Sequence, residues 1–339
     1  MDYVDELKMK MINRGFSTKY IDKCTTYAEN LYNKNSPIIF DIKHLSKIMG
    51  ISYPILFHYI YNNQKFYKEF KIPKKSGSYR VIDAPSLNLK KIQRWILDNI
   101  LVNFSISKYA MGFKKQVNIV ENAQIHTNKE LVYNIDIKDF FPSISFENVY
   151  FIFYNIGYSS EVSYAFAKLM TYKGYLPQGS PCSPIISNIL CINLDESMNS
   201  LSKNIGANYS RYADDMTIST NDIPTFLVKK GAFKNIIEFY GFKLNDKKER
   251  MQYKNHPQFV TGLLVNNKVR VRRVFKKEVE QQIYYCEKYG IFNHLKELGL
   301  EDRSFFKEYI YGKVNFIKSV EPEVAERFLE RLNRLKWSY

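Results

Sequence analysis

The 339-residue chain lacks most of the features that would place it in or beyond a membrane. No run of about 18 apolar residues occurs, so there is no candidate membrane-spanning helix. The opening Met1-Asp2-Tyr3-Val4-Asp5-Glu6 is acidic and has no apolar signal core, and a cytoplasmic location is expected. The four cysteines (Cys24, Cys182, Cys191, Cys286) form no Cys-x-x-Cys pair, and the five histidines are dispersed. That scatter argues against a structural zinc site, and isolated reduced thiols suit the cytosol. Internal repeats and low-complexity linkers are missing too. Acidic residues are in deficit: 34 Asp and Glu against 50 Lys and Arg.

The resulting net charge of +16 is either a generic basic surface or the footprint of a polyanionic partner, since neutralising phosphates releases counterions. Hydrophobic residues make up 45%, enough for a folded protein with two or three lobes. The 27 Tyr and 24 Phe include many core positions, but aromatic faces also stack on bases.

Residues 1–64 read as short helices. Within them a helix, a turn at Gly50 and a second helix imitate a DNA-reading helix-turn-helix, with Ser52 placed to cap the second helix and Pro54 in its first turn. That second helix shows Ile55, Leu56, Phe57, Tyr59 and Ile60 and few base-reading side chains, so a packed helical bundle is expected. Phe70 to Pro85 reads as a β-hairpin with Lys75-Ser76-Gly77-Ser78 at its tip, suited to a triphosphate or a backbone, or else a Lys-rich edge guarded against aggregation. Ser86 is placed to cap a helix to about Phe104, whose Leu89, Ile92, Ile96 and Ile100 form an apolar stripe.

Leu131 to Ile137 reads as a strand with Val132, Asn134 and Asp136 on one face. Helices follow over 144–172, then the Pro- and Ser-rich loop Tyr175 to Pro184 and a helix over about 185–201. Tyr209 to Ser219 reads as strand, turn, strand, and a helix over about 225–240 stops at Gly241. Phe242 to Lys248 returns toward the sheet. A hairpin from Phe259 to Lys268 is expected to turn at Asn266-Asn267, before a basic run and a helical terminal lobe. This order gives an α+β fold with an antiparallel sheet and helices on one face.

Two stretches carry chemistry. Tyr212-Ala213-Asp214-Asp215 by itself would be a solvated turn. Asp136 ends an apolar strand, where a buried carboxylate without a partner is costly and a metal ion offsets the cost. Brought together, these carboxylates suit a two-ion magnesium site, because Mg²⁺ prefers oxygen and is held by one or two carboxylates plus substrate phosphates. Such a pair activates an attacking hydroxyl and stabilises leaving pyrophosphate. With the basic hairpin and the net charge, this points to nucleotidyl transfer.

At this point a family resemblance enters. Asn134-Ile135-Asp136-Ile137-Lys138-Asp139-Phe140-Phe141-Pro142-Ser143, Leu176-Pro177-Gln178-Gly179-Ser180-Pro181 and Tyr212-Ala213-Asp214-Asp215, in this order, resemble the palm motifs of reverse transcriptases, the last in a form that suits bacterial members. Asn122-Ala123-Gln124-Ile125-His126 and Val260-Thr261-Gly262 resemble elements characteristic of retron reverse transcriptases. The resemblance runs in outline from about residue 40 to the end of the sequence. It implies a right-hand polymerase with an N-terminal helical segment (1–64), fingers (65–130), a palm (131–265, with finger-side helices at about 144–180) and an RNA-binding helical thumb (266–339).

The resemblance also implies roles. Asp136, Asp214 and, more weakly, Asp215 hold two Mg²⁺ ions, with Mn²⁺ as a substitute. Phe141 stands where the family has its ribose gate, or is a core ring beside Phe140. Gln178 contacts the incoming nucleotide or template, or satisfies its own loop. Arg80 and Lys74 clasp the deoxynucleoside triphosphate, with Lys75 an equal candidate for Lys74's part. Lys248 is a general acid for pyrophosphate or a plain phosphate contact. Asn122, His126, Val260, Thr261, Gly262, Arg270, Arg272 and Arg273 fall to RNA recognition. A retron enzyme copies a structured non-coding RNA into branched multicopy single-stranded DNA primed from an RNA 2′-hydroxyl, commonly in anti-phage defence with a separate effector protein; no fused effector is expected here. The rivals are another defence-associated reverse transcriptase, an untemplated DNA polymerase, and an inactive nucleic-acid-binding scaffold. The intact Asp136, Asp214, Asp215 and Gln178 argue against the scaffold.

Overall fold

The computed structural model describes residues 3–73, 77, 79–300 and 305–337. Lys74 and Lys75, the alternative partners of Arg80 in the expected triphosphate clasp, lie outside them. The chain forms two compact units: Met1–Lys108 with Ile137–Glu196 and Ile237–Lys243, and Tyr109–Asp136 with Ser197–Ile236 and Leu244–Tyr339.

The first unit opens with helices Tyr3–Asn13, Thr18–Tyr32, Ile42–Ile48 and Tyr53–Tyr61. The last of these buries Leu56, Tyr59 and Ile60 and leaves Ile55 and Phe57 exposed, the pattern of a packed bundle. Ser52 stands at its N-cap without a side-chain bond, whereas Asp41 caps the preceding helix by accepting from the His44 amide at 2.6 Å. Strands β1 (Tyr67–Pro73) and β2 (Tyr79–Pro85) form an antiparallel hairpin. Ser86 does cap the next helix, accepting from the Leu89 amide. That helix ends at Asn99, short of the expected Phe104, and a three-residue 3-10 turn over Leu101–Asn103 follows. Its stripe of Leu89, Ile92, Ile96 and Ile100 is buried. The helix expected over 185–201 is divided at Cys191 into Ser183–Leu190 and Ile192–Asn204.

The second unit is built on a four-stranded antiparallel sheet in the order β4-β5-β3-β6, where β3 is Leu131–Asp136, β4 Asn208–Tyr212, β5 Asp215–Thr220 and β6 Arg250–Tyr253. One face is apolar: Ile135, Met216, Ile218 and Tyr209 are buried, and Tyr133 meets Phe226 edge-on at 5.2 Å. The opposite face carries Asn134, Asp136, Asp215, Thr217, Ser219 and Ser210, all related by period two or by cross-strand pairing.

A short hairpin follows, β7 (Phe259–Val260) and β8 (Leu263–Leu264). Its turn is at Thr261-Gly262, not at Asn266-Asn267. Both loop residues have positive φ (46° and 86°), as a two-residue mirror-image turn requires. Asn266 instead uses its side chain to accept from the Gln258 amide, in a wider loop closed by the Leu264–Arg270 pair. Helices Arg273–Tyr289, Ile291–Glu297, Phe306–Lys318 and Pro322–Arg334 share one core with this hairpin, through Val260, Leu263, Val279, Ile283, Val314 and Leu332. Among the described residues no helix is long and apolar enough to cross a membrane.

Candidate active site

The sheet brings the two acidic stretches together. Asp136, the last residue of β3, is the direct cross-strand partner of Asp215, the first residue of β5, and Asp215 in turn pairs with Tyr212. Asp214 lies in the turn between. Like charges placed opposite one another on neighbouring strands are destabilising unless something neutralises them. Burial raises Asp214 above the usual carboxylate range, and the charge of Asp136 adds to this. Asp215 is pushed up to about 6 by burial first, then by Asp214 and Asp136. Its side chain keeps an exposed edge, so solvent screening limits the size of the effect but not its direction.

Asp136 itself is buried and well partnered. Its Oδ2 accepts from Lys248 Nζ at 2.7 Å, its Oδ1 from Asn245 Nδ2 at 3.3 Å, and its backbone carbonyl from the Asn245 amide at 2.8 Å. Lys248 reaches it from a 3-10 turn over Asp246–Lys248. Burial pulls the Lys248 ammonium down, but its bond to Asp136 and the charges of the three Asp outweigh this, so its pKa is raised. Lys248 therefore stays charged. Asn245 was not legible as a site residue; a lone Asn before a basic turn carries no signal.

Among the described residues no three acidic, imidazole or thiol groups converge into a complete ion cage. The donor set nonetheless fits a hard divalent cation, because it is all oxygen and carries unneutralised negative charge. Asp136, Asp214 and Asp215 would hold such an ion with substrate phosphates completing its shell. One result is expected without any nucleic acid. A carboxyl raised in the folded state binds its proton more tightly there, so it costs stability above the folded pKa and the cost fades as pH falls through it. Added Mg²⁺ should therefore raise Tm more at pH 8 than at pH 5.5, read by thermal unfolding. Equal increments would remove the carboxylates from the metal site.

The turn holding Asp214 has an unexpected feature. Its left-handed residue is Ala213 (φ 59°), where Gly, Asn or Asp is the usual occupant. Such backbone strain is of order 1–3 kcal/mol and persists only where the surroundings impose it. Two contacts impose it here. The fully buried Arg211 donates from Nη1 to the Ala213 carbonyl at 3.1 Å. Gly112 lies so close that an added Cβ would stand 2.6 Å from the Ala213 nitrogen. The segment before it runs along β4, with Arg211 N donating to Tyr109 O at 2.8 Å and Met111 N to Arg211 O at 2.7 Å. Neither Arg211 nor Gly112 was a candidate from the sequence.

The remaining candidates divide as follows. Arg80 is exposed on β2, Phe141 is half-buried with its ring 5.5 Å from Phe140, and Gln178 is half-buried in its loop. The Gln178 carbonyl accepts from the Asp83 amide at 3.0 Å, and a Cβ at Gly179 would meet the Asp83 carbonyl at 2.7 Å, so the loop is seated directly on β2. Ser183 Oγ closes it by donating to the Pro177 carbonyl at 2.7 Å. These residues belong to the first unit and the carboxylates to the second.

In the second unit Arg270, bridged to Leu264, and Arg272 and Arg273, at the start of the following helix, are exposed. The Arg272 guanidinium lies 4.3 Å from the centre of the Phe259 ring, and its Nε donates to the Gly262 carbonyl at 3.3 Å. Arg250, Arg272, Thr261, Gly262, Asn134 and Asp215 line a cleft of about 250 Å³. Val260 is buried in the core. Asn122 and His126 are fully buried as well, so their side chains offer no surface to RNA in this fold. Burial costs any polar group that lacks a partner, and Asn122 Oδ1 and both His126 nitrogens find theirs in Ser210 and Ser219 on strands β4 and β5.

Comparison with known proteins agrees with this geometry. Residues 72–272 match the family described as reverse transcriptase (RNA-dependent DNA polymerase). The chain is 31% identical to the retron Ec86 reverse transcriptase of Escherichia coli, over 91% of this chain and 93% of that relative. It is 28% identical to the retron Mx65 reverse transcriptase of Myxococcus xanthus, over 84% of this chain and 69% of that relative. Reverse transcriptases work with divalent metal ions and an RNA template, which suits the oxygen donor set and the basic charge described above. The chain is an RNA-directed DNA polymerase and belongs to the retron reverse transcriptases.

Proposed function

We propose that this polymerase copies a structured non-coding RNA into branched multicopy single-stranded DNA, priming from an RNA 2′-hydroxyl and using two Mg²⁺ ions. The observation that carries the reading is the placement of Asp136 and Asp215 as direct strand partners, with Asp214 in the adjoining turn. Bound divalent metal supplies activation of the attacking hydroxyl and neutralisation of the departing pyrophosphate. Asp136, Asp214 and Asp215 supply its oxygen ligands. Lys248, held as an ammonium by Asp136, faces phosphate as a charge partner; its raised pKa suits that role better than proton donation.

Arg80 contacts the triphosphate of the incoming deoxynucleotide, Gln178 the nucleotide or template, and the Phe141 ring excludes a ribose 2′-hydroxyl. The exposed Arg270, Arg272 and Arg273 bind phosphates of the partner RNA, with Thr261 and Gly262 beside them. The reading extends to anti-phage defence with a separate effector protein and to action in the cytoplasm.

Co-expression of the protein with RNA encoded beside its gene tests this reading. The expected product is DNA covalently joined to one structured RNA at a 2′ position, formed in Mg²⁺ and lost with a chelator. Heterogeneous or untemplated DNA in its place would favour a different defence-associated polymerase.

A further inference from the structure

The second unit contains a buried polar cluster that nucleotidyl transfer does not use. His126, fully enclosed, stands between the two strands of the catalytic hairpin: Nδ1 is 2.8 Å from Ser219 Oγ on β5, and Nε2 is 2.8 Å from Ser210 Oγ on β4. Ser210 Oγ lies 2.6 Å from Asn122 Oδ1 and donates to it. With a neutral imidazole, proton count then orders the whole chain. Ser210 has one hydrogen and gives it to Asn122, so it accepts from Nε2–H. His126 Nδ1 then bears the lone pair, and Ser219 donates to it. The result is a one-way series, Ser219 to His126 to Ser210 to Asn122, for a neutral imidazole. Burial pushes His126 down to about 3, with Lys129 adding to this, which keeps it so.

The placement of these groups follows from strand geometry. Ser219, Thr217 and Asp215 alternate onto one face of β5, and Ser210 and Tyr212 onto the same face of β4. The imidazole thus ties the hairpin together diagonally on the face that ends in Asp215. A second set of bonds continues to the strand of Asp136: Asn134 Nδ2 donates to Thr217 Oγ1 at 3.0 Å, and Gln252 Nε2 donates to Asn134 Oδ1. Twist and register in a hairpin are otherwise set by the ladder, the turn and side-chain packing. Here directional bonds, expensive to break once buried, add to both.

We infer that Asn122, His126, Ser210 and Ser219 form an alignment brace that holds the Asp214-Asp215 turn in register with Asp136, which makes Asn122 and His126 positioning residues for the reaction. The inference rests on the reading of these carboxylates as metal-holding. It explains why an Asn and a His separated by three residues sit on and just beyond one short helix, Ile119–Gln124, behind the hairpin.

A pair of isosteric variants separates this role from packing. Ser219→Thr keeps the hydroxyl, Ser219→Val does not, and the two have nearly the same shape. Each is assayed on an annealed RNA template and DNA primer with Mg²⁺ varied, alongside template–primer Kd and the rise in Tm on adding Mg²⁺. With Ser219→Val, kcat should fall about tenfold or more, the Mg²⁺ for half-maximal rate should rise, and the Mg²⁺-induced Tm rise should shrink, because small displacements of reacting groups are costly. Kd should change less than twofold, and Ser219→Thr should recover most of the rate. Ser210→Thr and Ser210→Val form a second pair, read in the same way should Ser219→Val not fold. Equal behaviour within the pairs would overturn the brace, and so would a loss of template–primer affinity that tracks the loss of rate. Wild-type protein that shows no Mg²⁺-dependent synthesis would overturn the metal reading instead.

Discussion

Asp214→Asn should reduce primer extension by about 1,000-fold or more, equivalent to about 4 kcal/mol of transition-state stabilisation. The residue occupies the turn between Tyr212 and Asp215, and its carboxylate has no substitute there. An Asn of the same shape keeps the turn but loses the negative charge that a divalent ion needs. The fold should not suffer. Burial and the charge of Asp136 already hold the Asp214 carboxyl above its ordinary range, so removing its charge relieves repulsion. In metal-free buffer at pH 8 the variant should therefore have a Tm equal to or above that of the wild type, with RNA affinity unchanged. Primer-extension rates, Tm and RNA Kd measured together decide the matter. Undiminished extension would show that the metal assignment is mistaken.

The second large effect is expected away from the carboxylates. Gly112→Val should cut the rate about 100-fold while leaving RNA binding near wild type. A Cβ at residue 112 would meet the Ala213 nitrogen at 2.6 Å and the Tyr212 carbonyl carbon at 3.1 Å, both backbone atoms. Neither can rotate away as a side-chain tip would. The neighbouring backbone is pinned by the paired bonds of Tyr109 and Met111 to Arg211. The turn itself must then move, and with it Asp214. Single-nucleotide incorporation with saturating template–primer isolates the effect. A Gly112→Val rate within about threefold of wild type would mean that the turn tolerates displacement and that its left-handed Ala213 is incidental.

The elements that were readable from the residues are those with a local cause. Period two identified β3 and put Asp136 on a face with Asn134. Period 3.6 found the buried stripe of Leu89, Ile92 and Ile96, and Ser86 marked where that helix begins. The carboxylates were legible as chemistry because acids ending apolar strands call for a partner. The errors also have local causes. Asn266-Asn267 has strong turn chemistry, but the backbone turned at Thr261-Gly262, where a β-branched residue adopts φ 46° against its own preference. A local rule cannot anticipate this, because the shared core of Val260 and Leu263 with the terminal helices sets the hairpin's register.

The brace shows the same division most clearly. Local pattern alone settled the α+β fold class, the strand faces and the identity of the acidic, basic and motif residues, because each depends on neighbours a few positions away. It left open which way Asn122 and His126 face, and the motif resemblance suggested RNA. The fold settled their direction. His126 bonds to Ser210 and Ser219, 84 and 93 residues further along the chain, and those bonds turn it into the interior. The same holds for Asp136 and Lys248, 112 residues apart, and for Gly112 beneath Ala213. Contacts at such separations leave no period in the chain; they exist only once the sheet has closed and burial favours polar groups that meet a partner.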